Sequence, residues 1–195
     1  MSSSIIRNRL NKEMNELRRN PDADISLEPD ENQFDIWHGS VIGPQDTPYA
    51  KGKFHVRLQI PATYPMAAPK VWFKTKIFHP NVHFGTGELC LDVLKTDWSP
   101  MWGLAAILRA IVALLVTPNA DSPLNCDAGN LIRCGDMIGF DSMARMYTVE
   151  HAIKNRDVLY DLLKRYNLKR YNRIWDLSCM MSMIGSQSVP LSAIQ

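Results

Sequence analysis

Cys90 lies in the stretch HPNVHFGTGELCLDVLKTDW, residues 79–98, between Leu89 and Leu91 and with carboxylates at Glu88 and Asp92. A thiol among apolar residues commonly packs as a small hydrophobe, so a nucleophilic reading has to come from its surroundings. Cysteine attacks as the thiolate, which a neighbouring base or a depressed pKa normally supplies. No histidine adjoins Cys90 in sequence, and its nearest charges are acidic, which disfavours a thiolate. That pattern speaks against a protease-like Cys/His pair and leaves acyl transfer, in which the thiol receives an activated acyl group from one carrier and hands it to an acceptor. Such a thiol needs access more than activation. The tetrahedral intermediate carries an oxyanion, and removing an amide donor aimed at one costs on the order of 10² to 10³ in rate. Asn81, nine residues ahead of Cys90, has that donor, although an asparagine in a loop also serves as a turn former.

The elements that must position these residues are legible in the periodicities. Ile5, Ile6, Leu10, Met14 and Leu17 fall at helical spacing after Ser4, a candidate N-cap, and Asn20-Pro21 ends the pattern. ISLEP, FDIWHGSVIG, KFHVRLQI and KVWFKT read as strands parted by the turn-rich GPQDTP and PATYPMAAP. Connections this short favour an antiparallel meander. From Phe78 to Met101 neither period holds, and an irregular run of that length in a compact domain usually carries function. Leu104, Ile107, Leu108, Ile111, Val112 and Leu115 mark a central helix stopped by Pro118, and helical patterns resume near 128–135 and 139–153. The expected class is α+β: an N-terminal helix, a four-stranded meander, an irregular active face, a central helix and C-terminal helices.

HPNVHFGTGELCLDVL, then WSP, a leucine-rich helix and TPNADSPLN resemble the active-site region of ubiquitin-conjugating enzymes. GPQDTPYAKGKFHVRLQIPATYPMAAPKVWFKTKIFHP is similar to the pattern that precedes it in that family, and the resemblance covers about residues 4–153. It implies the ubiquitin-conjugating fold and a transferase that takes ubiquitin from an activating enzyme as a thioester on Cys90 and passes it on, usually with a ligase bound. No cofactor or metal of its own is implied: ubiquitin is a co-substrate, and the activating enzyme uses the ATP. Asn81 resembles the family's oxyanion or loop-supporting asparagine, with His79 and Pro80 as structural partners, His79 being read as hydrogen bonded to backbone. Asp92 resembles an acid beside the cysteine that influences acceptor choice, with a solvated loop charge as the alternative. Arg7, Arg9 and Lys12 would meet the activating enzyme, and Met66, Pro100 and Met101 would form an apolar ligase patch. Many relatives have phenylalanine where Met66 stands and alanine where Met101 stands. Where lysine-modifying relatives often carry aspartate before the proline of TPNADSPLN, this chain has Ser122, with Asp121 one position earlier. A cysteine acceptor needs less help than lysine to lose its proton, the ordinary pKa values being about 8.5 and 10.4.

DSPLNCDAGNLIRCGDM and WSPMWGL resemble the family's peroxisomal branch, peroxin four. That branch implies monoubiquitination of the receptor that imports peroxisomal matrix proteins, on a cysteine, so that the receptor is recycled. It also implies RING-type ligases, a membrane-anchored peroxin as holder, and residence in the cytoplasm, peripherally on the cytosolic face of the peroxisomal membrane. The alternatives are a general lysine-directed conjugating enzyme, an enzyme for a ubiquitin-like modifier, and a scaffold of the same fold.

Composition sets outer bounds. The 195 residues suit one domain with an appendage, and 46% apolar with 22% charged residues is ordinary for a folded protein. A formal net charge of +2 gives no case for a nucleic-acid partner, and the N-terminus is too interrupted by charge for a secretory signal. Four cysteines without a CxxC pair argue against a zinc site or a disulfide framework, and Cys126 and Cys134 read as buried or idle thiols. The catalytic domain is expected over 1–153. Residues 154–184 are expected to form a basic amphipathic extension, with an anionic membrane, a partner or the domain's own back as the surfaces open to it. Residues 185–195 are expected to be disordered.

Overall fold

The computed structural model describes residues 3–89 and 98–153; residues 90–97, with Cys90 and Asp92, and the extension and tail expected over 154–195 lie outside the described residues. Helix α1 spans Ser3–Arg19. Ser4, expected as its N-cap, instead lies within the helix. Ile6, Leu10 and Met14 are buried and Leu17 packs partly against them, whereas Ile5 is 55% exposed. One residue along a helix turns the side chain by about 100°, which carries Ile5 off the buried stripe.

Four strands follow: β1 (Ile25–Pro29), β2 (Ile36–Ile42), β3 (Lys53–Gln59) and β4 (Lys70–Phe73). They pair antiparallel in chain order, as connections too short for a crossover require. The register sets Trp37 opposite Leu58, Val41 opposite both Ile25 and Phe54, and Val71 opposite Leu58. Alternation then gathers these side chains on one buried face. Helix α2 (Leu104–Val116) packs on that face, with Leu104, Ile107, Leu108, Ile111 and Leu115 buried, and ends at Thr117 before Pro118.

Helices α3 (Cys126–Arg133) and α4 (Met137–His151) begin about two residues earlier than the apolar spacing indicates. Their starts are set by caps: the side chains of Asn125 and Asp136 accept from the backbone N–H groups of Ala128 and Gly139. Of the two readings of Cys126 and Cys134, buried or idle, the structure removes burial, because both are exposed. One opens and the other caps α3, about 12 Å apart along its axis, beyond the span of a disulfide.

Candidate active site

The motif His79-Pro80-Asn81 is a brace joining three segments. The Nδ1 of His79 accepts the Asn81 backbone N–H at 3.1 Å, so Nε2 carries the ring proton and donates to the Leu114 carbonyl of α2 at 3.2 Å. The Pro80 carbonyl accepts from the backbone N–H groups of Leu124 and Asn125, at 2.8 and 3.0 Å. The Asn81 side chain is a two-point clamp: Nδ2 donates to the Asn119 carbonyl at 2.8 Å, and Oδ1 accepts the Asn119 N–H at 2.9 Å. Of the two roles expected for Asn81, these are the bonds of loop support. The amide still has a second proton on Nδ2, since the Asn119 carbonyl takes one.

Nothing in this arrangement lets His79 exchange a proton with a substrate. Its ring is fully buried, 5.7 Å from the ring of Tyr49, whose hydroxyl donates to the Phe78 carbonyl. Burial pushes the His79 pKa down from 6.5 to about 4. Between those values the unfolded chain binds more protons than the folded one, so stability is complete above the unfolded pKa and falls as pH drops through the window. The loss should approach about 3 kcal/mol near the bottom of the window. Urea unfolding measured against pH should show this decline, and the His79 ring signals in NMR should stay those of the neutral form down to about pH 5. A ring that titrates at the ordinary histidine value would contradict the assignment.

Beyond Asn81 the chain forms a short hairpin. Val82 bridges Leu89, the His83 N–H donates to the Glu88 carbonyl, and the turn closes on Gly87 with φ +74°. A side chain at Gly87 is excluded twice, by that φ and by the Phe73 carbonyl, which a Cβ would meet at 2.1 Å. The return limb then lies along β4, with Glu88 opposite Trp72 and the Leu89 N–H on the Val71 carbonyl. Backbone is thereby fixed up to Leu89, the residue before Cys90. Asn81 leaves the Val82–Leu89 bridge at the same end at which the chain runs on past Leu89. Asp121 and Ser122 are both exposed on the loop that Asn119 anchors, and the Asp121 N–H is held by the Asn119 side chain. The structure thus links His79, Pro80, Asn81, Asn119 and Asp121 through one hydrogen-bonded framework, with Ser122 the next residue along its loop.

The residues expected to meet partners lie on α1 and two loops. Arg7 and Lys12 are exposed, Arg7 lying 4.7 Å over the Phe34 ring. Arg9 is directed inward: Nε donates to Glu13 and Nη2 to the Trp102 carbonyl. Glu13 went unremarked in the sequence, yet it ties the partner-facing elements together. One carboxylate oxygen accepts from Arg9 and from the Tyr64 hydroxyl, the other from the Leu104 N–H at the start of α2. A negative charge there complements the helix N-terminus, which has no side-chain cap of its own. Gly103 admits this approach, since a Cβ would come 3.1 Å from the carboxylate. The Trp98 indole adds a bond to the Pro65 carbonyl. So braced, the two loops present Met66 and Met101, 61% and 88% exposed, with Pro100 also exposed.

The signals that could have pointed to the missed residues are slight. Arg9 and Glu13 are four apart, a common helical ion pair, but nothing local says that the pair turns inward. Asn119 stands in the quoted TPNADSPLN without any mark of its bond to Asn81.

A meander backed by one apolar helix, with the HPN brace in the stretch just before Cys90, is the architecture expected of a ubiquitin-conjugating domain. Residues 9–148 match the family model described as ubiquitin-conjugating enzyme, and the chain belongs to that family. It shares 55% identity over 141 residues with the ubiquitin-conjugating enzyme E2 pex4 of Dictyostelium discoideum, covering 72% of this chain and 95% of that one. With the protein PEROXIN-4 of Arabidopsis thaliana it shares 53% over 144 residues, 73% of this chain and 92% of the relative. These identities set it in the peroxin-4 branch of the family. Among solved structures, a ubiquitin conjugating enzyme from Plasmodium yoelii is similar with a TM-score of 0.71 and 34% identity, over 80% of this chain and 99% of that one.

Proposed function

We propose that this enzyme carries ubiquitin as a thioester on Cys90 and attaches it, one at a time, to a cysteine of the peroxisomal matrix-protein import receptor. The observation that carries the transfer reading is the HPN brace: Asn81 is clamped at the end of the hairpin from which the chain continues to Cys90. In the first step the Cys90 thiolate attacks the thioester carbonyl on the activating enzyme, whose thiolate leaves. In the second, the acceptor thiolate attacks the Cys90 thioester and Cys90 leaves in turn. The exchange is thiol for thiol, so it needs no cofactor beyond the ATP used upstream.

The peroxisomal role is supported by the peroxin-4 relatives, and the cysteine acceptor by Ser122, exposed where a lysine-directed enzyme would gain from a carboxylate. RING-type ligases would read Met66, Pro100 and Met101, the activating enzyme would meet Arg7 and Lys12, and a membrane-anchored peroxin would hold the enzyme at the cytosolic face. The described residues contain no helix long and apolar enough to cross a membrane.

The acceptor is tested by treating the ubiquitinated receptor with hydroxylamine. The proposal expects complete release of ubiquitin, because a thioester is cleaved and an isopeptide is not. A product that resists the treatment would favour the lysine-directed alternative, and a chain that never charges would favour a scaffold.

A further inference from the structure

The face of the sheet turned away from α2 carries a concentration of positive charge. Lys53, Arg57 and the partnered His55 alternate outward along β3, with Lys70 and Trp72 outward on β4. The register sets Arg57 opposite Trp72, and the Lys74 N–H bonds the His55 carbonyl, so the row continues into exposed Lys74 and Lys76. Five full positive charges therefore lie together in a chain whose formal net charge is only +2. None of the five forms an ion pair among the described residues; Arg57 lies 5.5 Å over the Trp72 ring. Among the described residues, carboxylates approach this surface at its margins, at Glu28 on β1 and at Glu88 beside Trp72; Asp30 is bonded to His38.

We propose that this open face rests on an anionic lipid bilayer, holding the protein by electrostatic attraction. The inference stands on the placement of charge and is independent of the ubiquitin-transfer reading. A bilayer fits better than an acidic peptide or a nucleic acid for three reasons. The face is an open sheet surface that presents charge across two neighbouring strands and the turn after them rather than along one groove. Four of its five cations are lysines, point charges that lack the planar fork with which arginine selects a single phosphate or carboxylate. Trp72, half-buried at the centre of the row, is of the residue type enriched at membrane–water interfaces.

The test is sedimentation of the full chain with vesicles of phosphatidylcholine, with and without phosphatidylserine. A lysine near an anionic surface contributes about fivefold to partitioning. The quadruple variant Lys53→Gln, Lys70→Gln, Lys74→Gln, Lys76→Gln should therefore bind phosphatidylserine vesicles at least about tenfold more weakly. All four side chains are exposed, so thermal unfolding should match the wild type and show that the variant is folded. A second variant, Lys164→Gln, Arg165→Gln, Lys169→Gln, Arg170→Gln, removes charge from the extension and should lose less. Added salt should release the wild type. The proposal is overturned if the sheet variant binds like the wild type, if the extension variant alone abolishes binding, if neutral vesicles bind equally well, or if polyuridylate is bound while vesicles are not.

Discussion

Asn81→Ala should slow the passage of ubiquitin from Cys90 to a free thiol acceptor by at least about a hundredfold in single-turnover assays, the range seen when an oxyanion donor is lost. The side chain is 2% exposed and bonds both backbone groups of Asn119. Alanine leaves that N–H and carbonyl without their partner, at about 1–3 kcal/mol for each group that water cannot reach. Stability should fall with activity, and the loop bearing Asp121 and Ser122 should exchange its amide protons faster. Asn81→Asp separates the contributions: its carboxylate can still accept from the Asn119 N–H but cannot donate to the carbonyl or to an oxyanion. Discharge at the wild-type rate in both variants would show that the clamp has no part in the chemistry.

Glu13→Ala should be the most destabilising change on the partner-facing side. It removes the acceptor for three donors, from Arg9, Tyr64 and the start of α2, and the side chain is only 11% exposed. The Tyr64 hydroxyl and the Leu104 N–H are left without their acceptor, at about 1–3 kcal/mol for each that water cannot reach, and urea unfolding should register a loss of that order. Arg9→Ala should cost less, because its guanidinium is about a third exposed and water can replace part of what is lost. In the Glu13 variant the loops bearing Met66 and Met101 lose their shared anchor, so stimulation by a RING domain should fall further than discharge without one. Equal losses in both would make Glu13 a purely structural residue.

The fold was legible because its signals are local and repeated. Alternation in KFHVRLQI and KVWFKT, and the leucine spacing after Gly103, each define a buried face without reference to the rest of the chain. Helix starts were less legible, since a cap is set by one side chain: Asn125 and Asp136 extend α3 and α4 beyond their apolar patterns, while Ser4 does not cap α1. In the site, residue types and order were legible through the motif resemblance. The bonds were not: those between Asn81 and Asn119, His79 and Leu114, and Glu13 and Tyr64 span 38, 35 and 51 residues. No periodicity encodes partners so far apart. The same blindness covers the basic sheet face, where charges spread over β3, β4 and the turn after them come together only once the strands pair.

In the proposed transfer, Cys90 is the thiol that carries ubiquitin. The most direct measurement is incubation of the protein with ubiquitin, activating enzyme and ATP, resolved on gels with and without reductant beside Cys90→Ala. An adduct that reductant removes and that the variant never forms is the expected result. An adduct that survives reductant, or that Cys90→Ala still makes, would contradict it.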